Sequence, residues 1–193
     1  MMNTAAATSL MTLEEFLALP DDGIQRDLIN GVLREYPGKT VTRRNRRHSR
    51  VEAKIAYLLN SWLMLQPVPR GEIHSGEVGC ILRRDPDATV GIDVAYFSAE
   101  VIARSSDATT MIEGAPVLAV EILSPSDTQE DVDEKIDEYL ANGTALVWIV
   151  DPHFQTVRIH RRGEQPILFN LQQELAGDPH LPGFRTPVTA IFE

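Results

Sequence analysis

Lysine is nearly missing from this sequence: Lys39, Lys54 and Lys135 stand against fifteen arginines in 193 positions. A lysine at a chemically informative place is therefore not the chain's habitual cation, and an ammonium differs from a guanidinium in offering a compact point charge. Cysteine is rarer still. The single Cys80 cannot close an intramolecular disulfide and has no CxxC or Cys/His partner, which excludes a disulfide scaffold and a cysteine zinc site and fits a reducing compartment. No apolar run approaches the ~20 residues that span a bilayer, and MMNTAAATSLMTLEEF at the N-terminus has no basic segment ahead of an apolar core. The expectation is a soluble, cytoplasmic protein with no membrane partner. A glycine-rich phosphate loop, a GxSxG elbow and internal repeats are also absent, as is any recognition helix, zinc module or aromatic platform that would read bases.

Positive charge is in deficit too. The net balance is -10, which argues against a protein that holds nucleic acid by a broad electropositive surface. One stretch runs the other way: RRNRRHSR packs Arg43, Arg44, Arg46, Arg47 and Arg50 into eight positions. These five are candidates for contacts to phosphates, with a solvated loop and helix start as the plainer account.

What the chain does have is 43% apolar residues over 193 positions, enough for one domain with a full core. TLEEFLAL carries a capping-box pattern, Thr12 with Glu15, and predicts a short helix ending before Pro20. In DLINGVLREY, Asn30-Gly31 between two apolar arms predicts a hairpin with strands at about 26–29 and 32–36. Val51, Ile55, Leu58, Leu59 and Trp62 recur at helical spacing, giving a long amphipathic helix over about 48–65. Five strand-like runs follow, EVGCILRR, IDVAYF, VLAVEILS, ALVWIV and TVRIHRR, interrupted by one clear helix at about 128–141. That helix is capped by Ser126 or Asp127, ends at Gly143 and buries Val132, Ile136, Tyr139 and Leu140. The order predicts an α/β fold of the mixed α+β kind, a central mixed sheet flanked by helices.

Two of those strands carry an acid where a core residue belongs. Glu121 sits among Leu118, Ala119, Val120, Ile122 and Leu123, and Asp93 opens the run Val94, Ala95, Tyr96, Phe97. An ionised side chain buried without a partner costs several kcal/mol. The sequence must therefore supply a lysine or arginine, hydrogen-bond donors, a metal ion, or an edge where the carboxylate meets water. Were the two strands neighbours, the carboxylates would converge and could both stay ionised only by sharing a cation. Carboxylate and carbonyl oxygens describe a Mg²⁺ or Mn²⁺ site rather than a zinc site. Edge-exposed or arginine-paired carboxylates are the bland alternative. Lys135 lies at the border of the apolar stripe of the following helix, a usual place for a snorkelling lysine.

Taken together, LAVEILSPS, DVDEKIDEYLANG and LVWIVDP, preceded by DVAYF and the LINGVL hairpin, resemble the Uma-two family of restriction-endonuclease-like proteins, which is assigned to the PD-(D/E)XK nuclease superfamily. The similarity runs from about Thr12 to about Arg161. It implies a single restriction-endonuclease-like domain over 1–193 with its core at about 24–161. It also implies that Asp93 is the metal-binding aspartate, Glu121 the acid of the (D/E)XK element, and the main-chain carbonyl of Ile122 a further ligand of Mg²⁺ or Mn²⁺. Leu123 stands where the superfamily has its lysine, and the resemblance maps that role to Lys135 on the next helix. Asp27 fills the family's acidic position before the hairpin, whereas Val32 replaces a glutamate usual after its glycine. His48 resembles the family's histidine at the start of the long helix and is an auxiliary site residue. Glu52 flanks the same face, matching the superfamily's first-helix acid.

The function implied is metal-dependent endonucleolytic hydrolysis of DNA phosphodiesters, with double-stranded DNA as partner and a homodimer as the assembly. The rival readings are a nuclease fold without activity that serves as a binding or scaffolding module, and a hydrolase of a small phosphorylated substrate.

Overall fold

The computed structural model describes residues 10–40, 45–105 and 110–193; two of the candidate arginines, Arg43 and Arg44, lie outside them. In chain order the elements are α1 (Leu13–Leu17), β1 (Ile24–Ile29), β2 (Val32–Thr40), α2 (Arg46–Leu63), β3 (Glu72–Arg83), β4 (Ala88–Phe97), α3 (Ala99–Arg104) and β5 (Ile112–Glu113). They continue with β6 (Leu118–Ile122), α4 (Gln129–Ala141), β7 (Leu146–Asp151), β8 (Thr156–His160), β9 (Ile167–Phe169), β10 (Glu174–Ala176), β11 (Arg185–Pro187) and α5 (Thr189–Phe192).

Local chemistry accounts for most of the boundaries. Both halves of the Thr12/Glu15 capping box are formed at α1. Asn30 and Gly31 both take positive φ, the geometry a two-residue hairpin of the primed type requires, and β1 pairs β2 from Ile29↔Val32 outward. Asn45 caps α2 by accepting from the His48 amide. The cap of α4 is Thr128, which accepts from the Asp131 amide, and not Ser126 or Asp127. Asp127 is already spent on the preceding turn, where its carboxylate accepts from the Ser124 amide at 2.7 Å and from the Ser124 hydroxyl. The short helix α3 has no counterpart in the periodicity, because six residues are too few to show one.

Among the described residues nine strands form one mixed sheet in which β4, β6, β7 and β8 are successive neighbours. β6 and β7 run parallel, with α4 as their crossover, while β4 pairs antiparallel with β6. One face packs Val51, Ile55, Leu59 and Trp62 of α2 and the C-terminal Leu181, Phe184 and Ile191 against Val120, Ile122 and Trp148. The other face packs Ile136 and Tyr139 of α4 against Ala119, Val147 and Ile149. No helix among the described residues is long and apolar enough to cross a membrane.

The strand that positions the site is β4. It begins at Ala88, four residues ahead of the run legible in the sequence, because Thr89 and Gly91 pair with β3 although they break the apolar pattern. β3 lies along one edge. Along the other, β4 meets β1 at Leu28↔Thr89 and β6 only from Val94↔Val120 onward. The sheet forks between those two contacts, and Asp93 stands at the fork.

Candidate active site

Backbone groups left over at a fork need partners, and here charged side chains supply them. The Ile122 amide donates to Asp93 Oδ2 at 2.7 Å. The Gly91 amide donates to Asp27 Oδ1 at 3.1 Å, and the Gly91 carbonyl accepts from Lys135 Nζ at 3.2 Å. Three ionisable residues from β1, β4 and α4 are thus fixed by the same interruption of the ladder.

Glu121 completes the group. It leaves β6 toward α4, and Lys135 Nζ lies 3.4 Å from its Oε2 and the same distance from Asp27 Oδ2. The Tyr139 hydroxyl, one turn beyond Lys135, donates to Glu121 Oε1. A lysine and a hydrogen-bond donor therefore both answer the question posed by this largely buried acid. Asp93, Glu121, Ile122 and Lys135 line one cavity, with Leu123 in its wall. His48 reaches Asp93 from the other side of the sheet, with Nε2 3.2 Å from both carboxylate oxygens.

Electrostatics follows from burial. Burial pushes the Glu121 carboxyl up to about 7; Asp93 and Asp27 add to the rise, while Lys135 and the Tyr139 hydroxyl oppose it. Burial pulls Lys135 down, but Asp27 and Glu121 outweigh it and the ammonium ends above its usual range. Burial first, and Glu121 second, hold the Tyr139 phenol well above its ordinary value, so it stays a donor. Asp27 and Glu121 share one ammonium, and Asp93 adds a third negative charge close enough to act on it.

The structure brings Asp27, His48, Asp93, Glu121, Ile122 and Lys135 together. Arg46, Arg47 and Arg50 lie exposed on the first turns of α2, flanking His48. Val32 sits at the hairpin end, 39% exposed, outside the cavity lining. Sequence reasoning placed Tyr139 in the apolar stripe of α4 and missed its role as donor, although a buried tyrosine usually finds a partner for its hydroxyl. It also missed Glu77, which lines the cavity. Glu77 occupies a bulge of β3 between Ser75↔Val94 and Val78↔Ile92, with φ 60°. Its carboxylate lies over Gly91, where a Cβ would meet it at 2.6 Å, so Gly91 leaves the acid its room. A bulge leaves no mark in the pattern of apolar residues, which is why this residue was not legible.

His48, Glu52 and Asp93 each offer a ligand atom within 4.8 Å of the others, so a cation could be held on the α2 side of Asp93 as well as on the Glu121 side.

Residues 13–189 match a family named Uma2 and described as "Putative restriction endonuclease". The chain also resembles a crystal structure of a protein from Anabaena variabilis described as a "putative nuclease belonging to DUF820", with a TM-score of 0.77 and 24% identity. The similarity covers 94% of this chain and 97% of that one, and at this identity it establishes the fold. No curated protein matches.

Proposed function

The chain belongs to the Uma2 family of putative restriction endonucleases, and from that premise we propose that it hydrolyses phosphodiester bonds of DNA with a divalent cation held by Asp93, Glu121 and the main-chain carbonyl of Ile122. The observation that carries this reading is the gathering of a buried acid, Asp93, and a largely buried one, Glu121, from neighbouring strands, with a lysine from the next helix, in one cavity. The donor set fits a hard divalent ion such as Mg²⁺ or Mn²⁺, since it is made of carboxylates. The charge balance fits as well: Lys135 is shared between Asp27 and Glu121, and Asp93 adds a further negative charge beside Glu121.

When bound, such an ion supplies Lewis acidity at a phosphoryl oxygen and a readily ionised water. The protein supplies position. The Ile122 amide and His48 fix Asp93, and the Tyr139 hydroxyl and Lys135 fix Glu121. Lys135, anchored by Asp27 and the Gly91 carbonyl, holds a permanent positive charge beside the acids, where it offsets negative charge developing on the phosphate. In this reading Lys135 takes the role that Leu123 cannot. No side chain has to act as a covalent nucleophile.

Duplex DNA is the proposed substrate, its backbone held in part by Arg46, Arg47 and Arg50. These surround His48 on α2, and His48 touches Asp93, so phosphate contacts would lie next to the chemistry. Cutting both strands calls for two such sites, and the assembly proposed is a homodimer, testable by sedimentation. The decisive assay incubates plasmid with Mg²⁺ or Mn²⁺ and wild type, Asp93→Ala, Glu121→Ala or Lys135→Ala. Wild type should cleave and each variant should not; cleavage that survives all three substitutions would sink the assignment.

A further inference from the structure

The row of side chains that carries Glu121 does not end at the cavity. By register Glu121 on β6 pairs with Ile149 on β7, Ile149 with Arg158 on β8, and Arg158 with Leu168 on β9. Directly paired residues point to one face of a sheet, and Val157 and Ile159, which flank Arg158, are buried on the α2 face. Arg158 therefore stands on the face of Glu121, two strands and about 10 Å of main chain away. A groove opens along this row, past the carboxyl ends of the parallel strands β6 and β7, with Leu123, Phe154, Arg158 and Leu168 in its lining. Leu123 is also in the wall of the cavity that holds Asp93 and Glu121, so one side chain divides groove from cavity.

The groove presents an open ring and a charge. Phe154 is 73% exposed and Leu168 59%. The ring is held in place: Asp151 Oδ1 accepts from the His153 and Phe154 amides at 2.8 and 3.0 Å, which fixes the turn between β7 and β8, and the His153 ring meets Phe154 edge-on with centroids 4.8 Å apart. Among the described residues Arg158 has no ion-pair partner, in a chain whose balance is -10. Such a pair is complementary to a nucleotide, because a guanidinium matches a phosphate and an aromatic face stacks on a base of any identity.

We propose that this groove holds the nucleotide next to the scissile phosphate, its base out of the helical stack against Phe154 and Leu168 and its phosphate on Arg158. The proposal rests on the nuclease reading and names the substrate within it: duplex DNA that carries an unpaired nucleotide beside the cut. A base on Phe154 has left its partner. Drawing it from an intact duplex costs unpairing energy that a mismatched or single-stranded site does not. Leu123, which cannot replace a lysine, gives that base an apolar wall.

The test is binding of a fluorescein-labelled DNA strand to the full chain, read by anisotropy in EDTA so that no cleavage intervenes. Wild type should bind the single strand about tenfold more tightly than the same strand in a blunt duplex. Phe154→Ala should weaken single-strand binding by about tenfold and erase that preference, whereas Phe154→Tyr should keep both. A strand of abasic sites should bind wild type and Phe154→Ala alike. Arg158→Gln should weaken single-strand binding and flatten the slope of log affinity against log salt by about 0.7. Unchanged single-strand affinity in Phe154→Ala and Arg158→Gln, or equal binding of strand and duplex by wild type, overturns the inference and leaves the nuclease reading to the plasmid assay. Binding of neither form by wild type overturns it too. If Phe154→Ala does not fold, wild type decides alone: the abasic strand should bind about tenfold more weakly than the strand with bases, and equal affinity sinks the base contact.

Discussion

Glu121, which faces α4, and Glu138, which belongs to it, are both shielded acids, and they are built in opposite ways. Both oxygens of Glu138 are taken by fixed amides, Oε2 by Asn30 at 3.1 Å and Oε1 by Asn142 at 2.9 Å, and Arg83 stands 3.5 Å away. Arg83 also donates to Asn30, so acid, amides and guanidinium close on one another and tie the hairpin to α4. Glu121 has a hydroxyl and a share of one ammonium, and it faces a cavity that also holds Asp93. A buried acid with its own cation and its own donors is a structural part. One that divides a cation with two other acids is short of positive charge, and that shortage marks a place for an ion.

Four outcomes test this contrast. Glu121→Gln should lower cleavage by about 10²–10³-fold, the usual cost of losing one preorganised electrostatic group, without loss of stability at pH 8. Glu138→Ala should do the reverse, costing about 1–3 kcal/mol in denaturant unfolding because two amides and a guanidinium lose their acceptor, while cleavage below the unfolding transition is retained. A cleavage defect in Glu138→Ala as deep as that of Glu121→Gln would erase the distinction.

The third outcome is a pH dependence. The Glu121 carboxyl lies at about 7 in the folded chain against an ordinary 4.5, so folding strengthens proton binding. The stability this contributes is complete below about pH 4.5 and is lost as pH rises through 7. Metal-free wild type should lose stability across that window, Glu121→Gln should not show this loss, and divalent-ion affinity should tighten over the same range as the carboxylate ionises. Thermal melts at several pH values with and without Mg²⁺ read all three. The smallest effect belongs to Tyr139→Phe, which removes one hydrogen bond worth about 1 kcal/mol. Since that bond favours the ionised acid, its loss should move the window upward in pH.

Much of this was legible because it is local. The Asn30-Gly31 hairpin, the stripes of α2 and α4 and the runs of β6, β7 and β8 are written in short-range periodicity, and the oddness of Glu121 and Asp93 is visible as charge inside apolar runs. The true start of β4, the bulge that carries Glu77 and the cap of α4 are set by what each segment meets. Asp127 looks like a cap until the Ser124 turn claims it.

Residues a few positions apart settle which elements form and which acids are out of place among them. That these acids answer one another follows from long-range packing alone. β4 leaves β1 before it joins β6, and peptide groups of Gly91 and Ile122 that face this gap draw in Asp27, Lys135 and Asp93. His48 lies 45 residues from Asp93 in the chain, and no periodicity reaches that far. Their meeting is fixed by how a helix lies across a forked sheet.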